Sequence, residues 1–583
     1  VGLILPVRPS VASFDRHFFT GKEKFTAIGR GDLGGKAHGL AMMRDILKGR
    51  LGERHLPKIE VNIPTLTVIT TEMFDRFVEQ NDLHDLAMSS LRNDLIAGAF
   101  QKADLPAQLV GDLRALIAQV HTPLAVRSSS RLEDAMFEPF ASVYATKMIP
   151  NNQTSPDSRF RKLVEAIKFV YASTFFKDAK NYIRATKHKT ADERMAVIIQ
   201  EVVGVRHGQR FYPHVSGVAR SFNFYPLGHS KPADGIIDLA LGLGKAIVDD
   251  GIAWSYSPAY PRANPPYNTL DDFLTQTQSE FWAINMGWPA EFNPIKETEY
   301  LKKFSLEEAE KDGALQYLAS TYRAQDDKIV YGIAEKGPRV IDFAPILKFD
   351  LLPLNGFLQE LLKLCEDTLG RMVEIEFAMT LDEHRGIPAR FGFLQVRPMV
   401  VSSDKVTITP EELEGNNVLL ASESALGNGV LDNIQDIVYV KPETFNVHFS
   451  EAVAAELERL NHRLMTLDSP YLLIGSGRWG TSDPQAGIPV NFGQICGAKV
   501  IVECALPEMS SMLSQGSHFF HNITSFRVFY FSLGAEDRYK IDWGWINKQP
   551  TVHETDYVRH VRLSAPLKIR VDGTTSRGVI QHG

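Results

Sequence analysis

The sequence predicts an α+β protein of two to four domains. Three observations carry this reading. The chain has 583 residues, too many for one hydrophobic core. It mixes β-branched, strand-sized runs with stretches whose apolar residues recur at three and four. After Pro398 the text changes, and residues 401–583 carry a signature of their own.

Composition narrows the class. Apolar residues make up 44% and charged residues 23%, an ordinary globular mix. A formal net charge of −7 gives no general attraction to nucleic acid or to an anionic membrane, so neither is expected as a partner. The longest apolar stretches are strand-sized, which predicts no membrane span. Cys365, Cys496 and Cys504 have neither CxxC spacing nor histidines at zinc-site distances, and read as reduced and buried. The opening VGLILPVRPSVASFD is too short an apolar run for a signal peptide. A cytoplasmic location follows by default.

The elements follow in order. Gly29–Gly49 reads as a glycine-rich turn entering a helix. Thr65–Thr71 reads as a strand followed by a helix, and 81–119 as mostly helical. Pro123 precedes a short strand over Leu124–Arg127, and Phe160–Tyr182 forms one long helix. Strand-like runs recur at Met195–Val203, His214–Asn223 and Gly235–Ala240. Tyr256–Asn268 holds four prolines and reads as a loop. Residues 281–325 look helical and charged. A helix over Leu351–Leu369 precedes two strands, Met372–Met379 and Phe391–Val396, joined by a polar turn as a hairpin.

Three motifs point to chemistry. The first is DLGGKAHGL, Asp32–Leu40. Adjacent glycines let the backbone approach an anion, the helix start adds N–H donors, and Lys36 supplies one mobile charge. A plain surface turn with a solvated lysine reads the same letters. The second is LAVRSSSRLEDAMFEPFASVYAT, Leu124–Thr146. Arg127 at a strand end beside hydroxyls suits a polyphosphate clamp, with Arg131–Ala141 as a closing loop. The alternative is a structural ion pair from Arg127 to Glu133 or Asp134.

The third motif is EIEFAMTLDEHRGIPARFGFLQVRPM, Glu374–Met399. Alternation puts Glu374 and Glu376 on one face of their strand, and Gln395 and Arg397 on one face of theirs. Pairing the strands would gather oxygen ligands for a Mg²⁺ held through phosphates, plus a fixed cation. A buried ion-pair network is the alternative. Two segments support these. In VIIQEVV, backbone groups around Gln200, Glu201 and Val203 could read an adenine edge. In LALGLGKAIVDDG, Gly242, Gly244 and Lys245 form a flexible turn with a phosphate-seeking or merely solvated lysine.

Taken together and in order, these motifs resemble the nucleotide-binding region of the phosphoenolpyruvate synthase and pyruvate phosphate dikinase family. The matching segments are DLGGK, VRSS with its following ED loop, the GLG turn, the EIEFA strand and LQVRP. The resemblance covers roughly residues 25–400. It implies an ATP-grasp-like, two-lobed fold, with lobes over 1–190 and 191–400, that clasps Mg-ATP. By the same correspondence Lys36 and Arg127 hold phosphates, Glu376 and Gln395 ligand Mg²⁺, and Arg397 stabilises the transferring phosphoryl. Family enzymes cleave ATP to AMP and pass the β-phosphoryl to a histidine on a swivelling domain. Family members often form dimers, so a homodimer is an expected assembly.

Residues 401–583 cannot hold the family's pyruvate-binding TIM barrel together with a swivelling domain. They read as a separate mixed α/β domain, an acceptor or phosphocarrier. In YLLIGSGRWGTSDPQAGIPV, Arg478 and the glycines suit an anion site with Trp479 as a flat platform, or else a rigid structural turn. In SQGSHFFHNITS, His518 is a candidate phosphoryl carrier, an acid–base or substrate-binding group, or a structural residue. The whole chain thus reads as an ATP-dependent phosphotransferase of the dikinase type. Its acceptor would be His518, a small molecule or a partner domain. An ATP-grasp ligase and a non-catalytic ATP-binding regulatory module are the alternatives.

Overall fold

The computed structural model of the protein describes residues 11–47, 58–130, 143–184, 193–224, 226, 229–248, 252–263, 270–275, 277–289, 291–381, 389–399, 406–415, 417–481, 487–505, 523, 528–534 and 537–583. The chain divides into two compact units. The first comprises Val1–Lys180, His188–Phe222 and Ala233–Pro398, and the second Asn181–Lys187, Asn223–Pro232 and Met399–Gly583.

Two six-stranded sheets organise the first unit. One runs Ala12–Ser13, Phe25–Ile28, Leu66–Ile69, Met195–Glu201, Leu124–Ser130, Thr146–Ile149 in spatial order. Its strand Met195–Glu201 is apolar on both faces over most of its length, as a strand covered on both sides must be. Ala196 and Ile198 join a core with Leu40 and Met43, while Val197 and Ile199 join another with Phe77 and Leu163. The other sheet runs Trp254–Tyr256, Ile236–Ala240, Val215–Arg220, Val373–Thr380, Ala389–Pro398, Ile59–Asn62. Here the two faces differ. Ile375, Phe377 and Met379 point into the core, against Phe357, Leu358 and Leu361 of helix Leu354–Leu369. Glu374 and Glu376 therefore occupy the opposite face.

Helix Gly35–Ile46 buries Ala37, Leu40, Ala41 and Met43. Its entry is shaped by Gly34, at φ +76°, where a Cβ would lie 1.7 Å from the carbonyl oxygen of Ser129. No side chain fits there, and only glycine adopts that conformation cheaply. Gly34→Ala is expected to destabilise the protein by more than about 2 kcal/mol, read as a lowered urea midpoint.

The second unit closes on itself. Strands Gly429–Val440, Tyr471–Ser476, Ala498–Cys504 and Phe529–Leu533 are parallel neighbours, with helix Ser450–Thr466 connecting the first two. On one side the sheet continues antiparallel through Val558–Asp572 and Arg577–Gln581. One segment joins the two ends: Val418–Ser422 pairs with Arg577–Gln581, and Ala425–Leu426 with Phe529–Leu533. Ile437, Tyr439, Leu472, Val502, Phe531 and Ile569 share the enclosed core. Closure leaves fewer open sheet edges for other chains to pair with.

Several expectations change. Residues 281–325 are mainly strands, Glu280–Asn285, Leu301–Ser305 and Ala319–Arg323, with helix only over Leu306–Lys311. Strand pairing overrode the charge pattern: Glu280–Asn285 is flanked by Leu301–Ser305 and Arg210–Tyr212. The single long helix is two, Pro156–Ser173 and Lys177–Arg184. Between them Phe175 turns inward to stack on Phe74, ring centroids 6.0 Å apart. Trp479 is no platform. It is fully buried, its indole N–H donates to the Val502 carbonyl at 3.0 Å, and it fills the space beside Gly475. Trp479→Ala is expected to cost about 3–5 kcal/mol, measured by chemical denaturation. His518, His521, Glu133, Asp134 and the Arg131–Ala141 loop lie outside the described residues.

Candidate functional site

The site builds outward from Arg127. The sequence suggested that its strand ends there, but the strand runs on to Ser130 because Ser128–Ser130 pair with Met195–Val197. Arg127 is thus a mid-strand residue, on the same face as Ile198 opposite it and Gln200 two residues on. Its guanidinium reaches four acceptors. Nη1 donates to Gln200 Oε1 at 3.4 Å and to the Leu394 carbonyl at 3.1 Å. Nη2 donates to Gln395 Oε1 at 2.8 Å and to Glu376 Oε2 at 3.4 Å. One side chain of the first sheet therefore holds three groups of the second.

The hairpin expected from the third motif forms, with Glu376 opposite Gln395 and Glu374 opposite Arg397. Arg397 is almost wholly buried and pairs with Glu374. Glu374 is shared: its Oε2 accepts from Arg220 Nε at 2.6 Å, and Arg220 Nη1 also donates to Asp238 at 2.6 Å. Asp238 accepts from Ser255 as well. Burial works against the charge on Arg220, but Glu374 and Asp238 outweigh it and hold its pKa above the ordinary arginine value. Arg220 and Asp238 were not legible as site residues. Their signal was an Arg and an Asp inside otherwise apolar strands, GVAR and IIDLA, which costs too much unless each is paired.

The remaining predicted residues distribute as follows. Lys36 is largely buried at the start of its helix and donates to Ser128 Oγ at 3.3 Å. Ser129 Oγ accepts from the Ala37 N–H at 3.1 Å and donates to the Leu33 carbonyl, tying the DLGGK turn to the Arg127 strand. Gln200 must present its oxygen to the guanidinium, which leaves its buried Nε2 with no hydrogen-bond partner among the described residues. Glu201 lies on the other face of its strand, where it accepts from Thr122 at 2.8 Å. Val203 sits past the strand end against Gly392 of the second sheet. Gly242, at φ +83°, turns the chain after Ile236–Ala240, and its carbonyl accepts from Ser216 Oγ at 2.7 Å. Gly244 and Lys245 follow, with Lys245 Nζ 5.9 Å from the Trp282 ring centre.

The donor set can be tested against a hard cation. Glu376 Oε2 and Gln395 Oε1 converge on one guanidinium nitrogen, which marks a position of cation attraction between a carboxylate and an amide oxygen. Among the described residues no group of three or more His, Cys, Asp and Glu is placed to hold a metal alone. One carboxylate with one neutral oxygen suits Mg²⁺ that arrives with a nucleotide, because that ion takes most of its ligands from phosphates and water. The residues fit.

A family model described as the pyruvate phosphate dikinase AMP/ATP-binding domain matches residues 31–416, about two thirds of the chain. The chain belongs to that family. No curated protein matches it. Membership in the pyruvate phosphate dikinase AMP/ATP-binding family makes the matched stretch an ATP-binding, dikinase-family region of ATP-grasp-like fold. It also accounts for why DLGGK, VRSS, EIEFA and LQVRP occur together. No described helix is long and apolar enough to cross a membrane.

Proposed function

We propose that the protein is an ATP-dependent phosphotransferase of the dikinase type. It binds Mg-ATP in its first unit and passes a phosphoryl group to a histidine, a small molecule or a partner domain. The observation that carries this reading is Arg127: its guanidinium gathers Glu376, Gln395, Leu394 and Gln200 from two sheets at one point. A largely enclosed guanidinium needs such partners to offset its lost hydration. A triphosphate with its metal would replace those contacts in kind.

In this reading Arg127 turns from Glu376 and Gln395 to the phosphates when the nucleotide enters. Lys36, and Lys245 at the Gly242–Gly244 turn, add positive charge along the chain of phosphates. Glu376 and Gln395 are then left to hold Mg²⁺, which supplies charge neutralisation on the phosphoryl oxygens. Arg397, anchored by Glu374, faces the group in transfer. Gln200 Nε2 is a donor kept dry for the nucleotide, while the backbone through Glu201 and Val203 reads the base edge. Residues that exclude water strengthen each of these contacts.

Calorimetric titration with ATP tests the binding part. Wild type is expected to bind in Mg²⁺ and to lose most of its affinity in EDTA. Glu376→Gln is expected to bind with little difference between the two conditions. Equal affinity of wild type with and without Mg²⁺ would count against Glu376 and Gln395 as metal ligands.

A further inference from the structure

Five adjacent strands of the second sheet each contribute one polar side chain to a single row. In spatial order they are Ser255, Asp238, Arg220, Glu374 and Arg397. The charges alternate, and the two acids balance the two arginines. Asp238, Glu374 and Arg397 are buried, and Arg220 nearly so. The row is built by register: Arg220 stands opposite Glu374 on one side and, on the other, opposite Ile236, two residues before Asp238 on the same strand, while Glu374 stands opposite Arg397. An isolated Glu374–Arg397 pair would leave one carboxylate oxygen to swing. Arg220 fixes it, using Nε for Glu374 and Nη1 for Asp238, so that the carboxylate has one orientation left for Arg397.

We propose that Arg220, braced by Asp238, is a positioning residue for phosphoryl transfer. It acts through Glu374 to hold the Arg397 guanidinium at the transferring group. This rests on the phosphotransferase reading above and adds the residue on which Arg397's aim depends. A cation that stabilises charge in a transition state must be held there in advance, and small displacements are costly. Binding of the nucleotide depends on Lys36, Arg127 and the metal ligands instead. Losing Arg220 therefore affects the rate and leaves affinity largely intact.

The test is steady-state turnover of Mg-ATP by the full chain with Arg220→Met and Arg220→Lys. The lysine variant keeps the charge but cannot bridge two carboxylates with a rigid fork. The expected result is kcat lower by about 10²-fold in Arg220→Met and about tenfold in Arg220→Lys, with KM for ATP within about threefold of wild type. If the methionine variant does not fold, the lysine variant decides. A folded Arg220→Lys with unchanged kcat overturns this inference alone. A KM that rises as far as kcat falls also overturns it, because the row would then serve binding or fold. Absence of turnover in wild type overturns the phosphotransferase reading, and this inference with it.

Discussion

Arg127→Ala is expected to lower kcat/KM for ATP by about 10²–10³-fold, the loss typical when one preorganised donor to developing charge is removed. Arg127 donates to Gln200 on its own sheet and to Leu394, Gln395 and Glu376 on the other. Alanine removes the group that bridges these four acceptors and one of the cations assigned to the phosphates. Stability should fall too, by about 1–3 kcal/mol, since acceptors that had a charged donor must take water or none. Arg127→Lys separates the two effects. It restores a charge for phosphate but has one nitrogen for acceptors spread over two sheets, so it should recover affinity more than rate. Kinetics with paired calorimetry measures both.

Glu374→Ala is expected to lower stability by about 3–5 kcal/mol, read as a lowered denaturation midpoint. Its carboxylate is fully buried between Arg220 and Arg397. Removing it leaves two buried guanidinium groups with only Asp238 to compensate the pair, and an uncompensated buried charge is far costlier than a lost contact. Glu374→Gln should cost less, because the amide oxygen still accepts one of the two donors. Replacing Glu374 and Arg220 together by apolar residues should be milder than Glu374→Ala alone. That sign distinguishes a charge-balance role from simple packing.

How much of this was legible in the letters varied with the kind of signal. The hairpin carrying Glu374, Glu376, Gln395 and Arg397 was readable because strand alternation has a fixed period, and its register matches that reading. The Gly34 turn was readable because adjacent glycines before a helix have few other uses. Other features depend on partners distant in sequence. Ser128–Ser130 resemble a loop until Met195–Val197 pairs with them. Residues 281–325 carry a helical charge pattern that neighbouring strands overrule. Arg220 is separated from Glu374 by more than a hundred residues, and nothing local announces the link. In the second unit, the Trp479 turn read either as a ligand platform or as a rigid structural turn, and the letters alone do not separate the two. In the fold the glycine beside it makes the room that buries it.

The most direct test of the central claim is the fate of the β-phosphoryl. The full chain would be incubated with Mg-ATP labelled at the β position, and the nucleotides and protein-bound label followed with time. AMP is expected to accumulate, and the β label to leave the nucleotide for the protein, a small molecule or water. ATP that binds and returns unchanged, or that yields only ADP with the β label still on the nucleotide, would contradict the claim.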